Sequence, residues 1–204
     1  MATSLTLQND SSLDQGYIKV NGITAATITE NGITGNLVGN VTGSLTQGGS
    51  LTLGTAQTAS GTAVDFTGIP SWAKRITVMF NGVSLTGTDN ILVQLGDSGG
   101  IENTGYDSWS MQISTTPVTS AIVSTVGFII YTSSNTDVVS GAMSINLISG
   151  NTWTAFGNAS YISTNRGCSF SGGKTLSSTL DKIRITRSGT NTFDAGTINI
   201  SYEG

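Results

Sequence analysis

After residue 50 the chain falls into short runs in which apolar and polar positions alternate, the period of an extended strand with one buried face. Residues 63–66 with Ile69 predict a first strand, stopped by Pro70. Ile76, Val78 and Phe80 share one side of residues 75–80, and Asn81-Gly82 predicts a tight turn behind them. Ile91, Val93 and Leu95 form the inward side of the next run, which Gly96-Asp97 ends. In residues 108–113 Trp109, Met111 and Ile113 alternate with Ser108, Ser110 and Gln112, predicting a half-buried strand with a wet polar side. Residues 126–132 are apolar on both faces and predict a central strand. Residues 142–148 and 153–161 flank Ser149-Gly150-Asn151 as a hairpin; residues 183–187 and 198–202 close the chain around the turn-rich 188–196. About nine or ten strands favour a β-sandwich of jelly-roll type over a smaller barrel.

The N-terminal part has a different pattern. Residues 1–16 are polar and read as an arm ordered by a partner. Asn-Gly-Ile-Thr occurs at 21–24 and again at 31–34, predicting short strands at 17–20, 23–28 and 33–38 joined by Asn-Gly turns, with a low-complexity linker as the alternative. From residue 35 to 46 a unit of glycine, small polar, branched apolar and variable residue repeats every four positions. As a strand, one face is Gly35, Leu37, Gly39, Val41, Gly43 and Leu45. So short an alternation of glycine and aliphatic cannot bury itself, but glycine lets other backbones approach closely. The segment therefore predicts a stem that trimerises, the chain being a homotrimer built into a fibre or shell. Gln47-Gly48-Gly49-Ser50 predicts a hinge, dividing the chain into an arm and stem at 1–50 and a globular β-sandwich at 51–204.

Composition agrees with an all-β chain. Of 204 residues only 10% are charged and 27 are glycine, with serine, threonine and asparagine filling most polar positions. The net charge of −4 and the scattered cations argue against nucleic acid as a partner; only Lys182, Arg184 and Arg187 group at strand spacing. Cys168 is the single cysteine, so no intrachain disulfide forms. Residues 1–5 lack the basic and apolar regions of a secretory signal, and the apolar stretch 121–131 is short of the about 20 residues of a membrane span. The expectation is synthesis in a cytoplasm and no membrane insertion.

Three sets of residues could carry chemistry. Gly96-Asp97-Ser98-Gly99-Gly100 matches the segment around the nucleophilic serine of trypsin-like proteases, but that serine needs a histidine base and the chain has none. Asp89, Asp97, Glu102 and Asp107 lie around one predicted strand and could converge as the paired carboxylates of a glycoside hydrolase, or stand as solvated loop ends. Without histidine or a second cysteine a zinc site is not expected, and neither a metal nor a cofactor is implied. Aromatic rings beside amides or carboxylates are how proteins hold sugars. Tyr106, Asp107 and Trp109, and Trp153 with Asn151 and Asn158, have that composition, the alternative being tryptophans that anchor the core or a subunit interface. Trp72 follows Pro70-Ser71 at a strand start.

Residues 65–84, beginning Asp65-Phe66-Thr67-Gly68-Ile69-Pro70-Ser71-Trp72, together with 94–102 and Thr104-Gly105-Tyr106, resemble the distal β-domain of tail-fibre and related virion proteins of tailed bacteriophages. The Gly-Asn-Leu-Val-Gly-Asn-Val-Thr-Gly repeat resembles segments of phage fibre shafts. The resemblance implies a non-enzymatic, homotrimeric virion component that attaches to host surface polysaccharide, its N-terminal arm contacting other virion proteins. It supplies no motif of binding residues. The stem is short for a long fibre, which keeps a stubby tail fibre, a head fibre or a capsid decoration protein of purely structural role in view.

Overall fold

The computed structural model describes residues 5–10, 15–20, 23–29, 32–34, 51–114 and 120–204. The chain divides into two compact units, Met1–Ser44 and Leu45–Gly204. The stem positions Gly35, Leu37, Gly39, Val41, Gly43 and Leu45 and the hinge at 47–50 lie outside the described residues.

In the first unit Leu5–Asp10 (β1), Gln15–Val20 (β2), Ile23–Thr29 (β3) and Gly32–Thr34 (β4) pair antiparallel in chain order. β2 and β3 pair with Val20 opposite Ile23, and Asn21-Gly22 lies outside the described residues. The polar N-terminal segment is a strand of this sheet, with Leu5 opposite Val20 and Asp10 opposite Gln15. Its Leu-Thr-Leu-Gln alternation has the strand period, which overall polarity conceals.

The strands of the second unit begin with Thr52–Leu53 (β5), Gln57–Thr58 (β6), Val64–Thr67 (β7), Arg75–Leu85 (β8), Ile91–Asp97 (β9), Gly100–Ile101 (β10) and Tyr106–Ser114 (β11). They continue with Ser120–Ser124 (β12), Phe128–Ile130 (β13), Val139–Ser149 (β14), Thr152–Tyr161 (β15), Arg166–Thr175 (β16), Lys182–Arg187 (β17) and Phe193–Glu203 (β18). One 3-10 turn, Ile162–Thr164, is the helical element among the described residues. The larger sheet runs β12-β11-β16-β15-β14-β8-β18-β5, with β6 also on β18. The smaller runs β10-β9-β17-β7, with β13 also on β9. Every pairing is antiparallel, and the chain passes repeatedly from one sheet to the other.

The sheets share one apolar core. From the larger come Ile76, Val78 and Phe80 of β8, Met143 and Ile145 of β14 and Ile198 and Ile200 of β18; from the smaller come Ile91, Val93, Leu95, Ile183 and Ile185. The expected hairpin at 149–151 is present, with Gly150 at φ 53°. Asn81-Gly82, in contrast, does not reverse the chain. β8 runs straight through it, and the register against β14 slips between Val139 and Gly141. Gly82 (φ 67°) forms a β-bulge whose N–H donates to Ser140 Oγ at 3.0 Å. Gly196 of β18 (φ 99°) lies beside it, where a Cβ would come within 2.5 Å of the Gly82 carbonyl. The positive-φ signal is real, but it serves a bulge within one long strand.

β11 is turned over relative to expectation. Ser108, Ser110 and Gln112 are buried, whereas Trp109 and Ile113 are 38% and 50% exposed and Met111 is half-buried. The reason lies in β13, which is apolar and buried as predicted but sits at an edge. Its outer N–H groups need acceptors, and the β11 serines supply them: Ile129 N–H donates to Ser108 Oγ at 2.9 Å and Tyr131 N–H to Ser110 Oγ at 3.1 Å. Ser133 Oγ donates to Gln112 Oε1 at 3.0 Å in the same row. Satisfying a buried backbone edge outweighs burying three apolar side chains.

Candidate functional site

Turning β11 over puts its apolar side on the outer surface of the larger sheet. The registers of β11 with β16 and of β16 with β15 then define four outward rungs: Asp107-Gly173-Thr154, Trp109-Ser171-Phe156, Met111-Ser169-Asn158 and Ile113-Gly167-Ser160. The central strand carries only glycine and serine outward, while its neighbours carry larger side chains. The result is a trough floored by β16 and walled by β11 and β15.

Trp109 and Phe156, the latter 56% exposed, face each other across Ser171. They stand two strand spacings apart, about 10 Å, with side chains roughly perpendicular to the sheet. That spacing is on the order of the thickness of one saturated ring with carbon contacts of about 3.5–4.0 Å on either side. Among the described residues the side chains of Asp107, Asn158, Ser169 and Ser171 make no hydrogen bond, and Asp107, Asn158 and Ser171 are exposed. The trough therefore pairs an aromatic slot with unused donors and acceptors.

The floor glycines differ from those that the fold demands. A Cβ at Gly172, on the inner face of β16, would meet Asp107 O at 2.4 Å, and one at Gly157 would meet Ala142 O at 2.1 Å. At Gly173 and Gly167 the nearest atoms would be 3.9 and 3.7 Å away, ordinary contact. Nothing inside this domain requires the floor to be bare, and a bare strand that its own packing does not need leaves room for close approach from outside.

The residues singled out from sequence separate clearly. Asp107, Trp109 and Asn158 come together on the trough. Tyr106 and Trp153 are only 3% and 4% exposed and belong to the core, because strand alternation sends each to the opposite face from its partner in the sequence pattern. Tyr106 accepts a hydrogen bond from Leu95 N–H at 2.6 Å and donates to Glu102 O at 3.0 Å; it packs edge-on against Phe128 at 5.1 Å, and burial pushes its hydroxyl pKa up. Trp72 is half-buried against Tyr202, with ring centroids 5.6 Å apart. Phe156, Ser169, Ser171 and Gly173 were not singled out. The outward Thr154-Phe156-Asn158 series is readable in the alternation of 153–161, whereas β16, rich in glycine and serine, carries no strand signal.

The carboxylates also separate. Asp97 and Glu102 converge on Ser177, whose Oγ donates to Asp97 at 2.7 Å and whose N–H donates to Glu102 at 2.7 Å. The Ser177 hydroxyl, then Gly99 N–H at 2.8 Å, hold Asp97 below the ordinary carboxylate range. Burial pulls Glu102 upward, but the Lys174 ammonium at 2.5 Å and Ser177 together bring it below its ordinary value. Lys174 is buried and lies 5.3 Å over the Tyr106 ring. Asp89 is elsewhere, accepting from Asn191 N–H at 2.7 Å, and Asp107 is on the trough. Ser98 is an exposed turn residue in a loop that Asp97 organises. Of the grouped cations, Lys182 pairs with Asp181 at 3.2 Å, Arg184 with Asp65 at 2.7 Å, and Arg187 donates to Asn191 O at 2.9 Å.

Comparison of the chain with protein-family models, curated proteins and solved structures finds no match in any of them.

Proposed function

We propose that this chain is a bacteriophage virion fibre protein whose C-terminal β-domain attaches to host surface glycan through the trough on β11, β16 and β15. The observation that carries the reading is the pair Trp109 and Phe156, outward and opposed across a floor of serine and glycine. Stacking of aromatic rings on the apolar face of a sugar, with nearby hydroxyls and amides taking its polar groups, is the chemistry this composition suits. The reading is of a binder and not an enzyme. A glycosidase acid needs a raised pKa, and the two carboxylates that converge, Asp97 and Glu102, are both lowered and committed to Ser177.

The same proposal takes the domain as jelly-roll-like in its repeated passage between sheets, and the assembly as an intertwined homotrimer through the stem at residues 35–45. The N-terminal unit then faces other virion proteins. Three linked troughs gain avidity without new contacts, so each can be weak. Binding of the purified full chain to host envelope polysaccharide tests the reading. Trp109→Ala is expected to weaken it about tenfold or more, the truncation cost of an aromatic anchor. Undiminished binding by that variant contradicts it. Light scattering should give three times the mass of one chain.

A second reading, a capsid decoration or head-fibre protein of structural role, draws on the apolar surface beyond the slot. Val123, opposite Trp109 on β12, is 72% exposed, and Ile113 is 50% exposed. It predicts unchanged host adsorption when Trp109 is replaced.

A further inference from the structure

We propose that the trough selects uncharged glycan and rejects anionic polysaccharide, an inference that rests on the glycan-binding reading above. Its basis is the charge distribution of the second unit. The four rungs hold one ionisable side chain, Asp107, at the end where Gly173 leaves the floor open. Asp107 is exposed and forms no ion pair among the described residues.

No cation of this unit is placed to neutralise an acidic sugar there. Arg75 is also at the surface of the larger sheet, but it lies on β8, three strands from β16, and is paired with Glu203. Arg166 turns to Ser133 Oγ at 2.7 Å and the buried Asp137 at 3.9 Å. Lys174 points to the opposite side of β16 from the floor and is paired with Glu102. Lys182, Arg184 and Arg187 belong to the smaller sheet and are engaged there. Lys74 lines a separate cavity of about 150 Å³ with Trp153 and Leu147. A uronate, sialate or phosphate entering the trough would meet one unscreened carboxylate and no counter-charge, a juxtaposition that repels. A neutral sugar meets free hydroxyl, amide and carboxylate acceptors with nothing to oppose it.

The trough also has a direction. Over the six residue steps from Asp107 to Ile113 its wall spans about 20 Å, passing from carboxylate through aromatic to aliphatic. That length suits a linear run of several sugar rings laid along β16, with the polar end at Asp107.

The test is binding of the full chain to an array of bacterial surface polysaccharides, neutral members beside uronate-bearing and phosphorylated ones, at low and high salt. The expected result is binding of neutral members that salt does not affect, with rejection of anionic members that is strongest at low salt. Asp107→Lys should raise binding of anionic members relative to neutral ones by at least about tenfold. Asp107→Asn, nearly isosteric, should relax the discrimination without reversing it. The position is exposed, and matching thermal melts establish that both variants fold. Binding to anionic members by the unaltered chain, or no gain on Asp107→Lys, overturns the charge inference while the glycan reading stands. Binding to no member overturns the glycan reading, and the inference falls with it.

Discussion

β8 and β11 belong to one sheet and have the same alternating pattern, yet they present opposite sides to the core. In β8 the apolar side, Ile76, Val78 and Phe80, is buried. In β11 the buried side is Ser108, Ser110 and Gln112. β8 is flanked by β14 and β18, and its backbone is satisfied within the sheet. β11 lies over the unpaired edge of β13, and its side chains must finish a job that no neighbouring strand does. Alternation fixes the period of a strand; what the facing layer lacks fixes its phase. The phase of β11 is what exposes Trp109.

The contrast extends to how the two sheets are joined. Under β8 the joint is apolar. Near β11 and β16 it is polar, through the β11 serines that accept from Ile129 and Tyr131 and through Lys174 with Glu102 and Ser177 with Asp97. Substitutions should therefore behave differently in the two places. Ile76→Ala, at a fully buried site in β8, should destabilise by about 2–5 kcal/mol in denaturant titration, the transfer and cavity cost of a core truncation. Ser110→Val adds apolar volume to an equally buried site and should nevertheless destabilise by about 1–3 kcal/mol, because Tyr131 N–H loses its acceptor. A stability gain for Ser110→Val would mean that β11 differs from β8 only in being poorly packed.

Acid should weaken the polar joint selectively. Asp97 and Glu102 have folded-state pKa values below their ordinary ones, so their contribution is fully present above the ordinary carboxylate range and is lost as pH falls through the lowered values. Melting temperature should drop on acidification below about pH 4. Ser177→Ala, which removes the hydroxyl that does most to lower Asp97, should make that drop shallower by lowering the plateau at neutral pH. An identical acid profile in the variant would remove Ser177 from the joint.

Much of the architecture was legible in the residues. The all-β class, the runs of β8, β9, β14, β15, β17 and β18 and the hairpin at Gly150 follow from period and turn chemistry. Three features did not. Asn81-Gly82 carries the same backbone signal for a turn and a bulge, and only the neighbours of β8 decide between them. β16 has outward Gly167, Ser169, Ser171 and Gly173, which read as a loop until two strands flank them. The phase of β11 depended on β13, about twenty residues on in the chain. Of the aromatic and polar residues proposed for sugar contact, Asp107, Trp109 and Asn158 are outward, whereas Tyr106 and Trp153 sit one residue out of phase and are buried.

The account turns on the bare floor of the trough being kept for an external ligand, and Gly173→Val addresses this directly. A Cβ at this position meets no atom closer than 3.9 Å inside the domain, and valine is a good strand former where glycine is not, so stability should be unchanged or rise by up to about 1 kcal/mol. Measured beside the melt, binding of the full chain to host envelope polysaccharide should fall about tenfold or more as the new side chain fills the floor between Asp107 and Thr154. A variant that melts as predicted and binds as well as the unaltered chain would contradict the account.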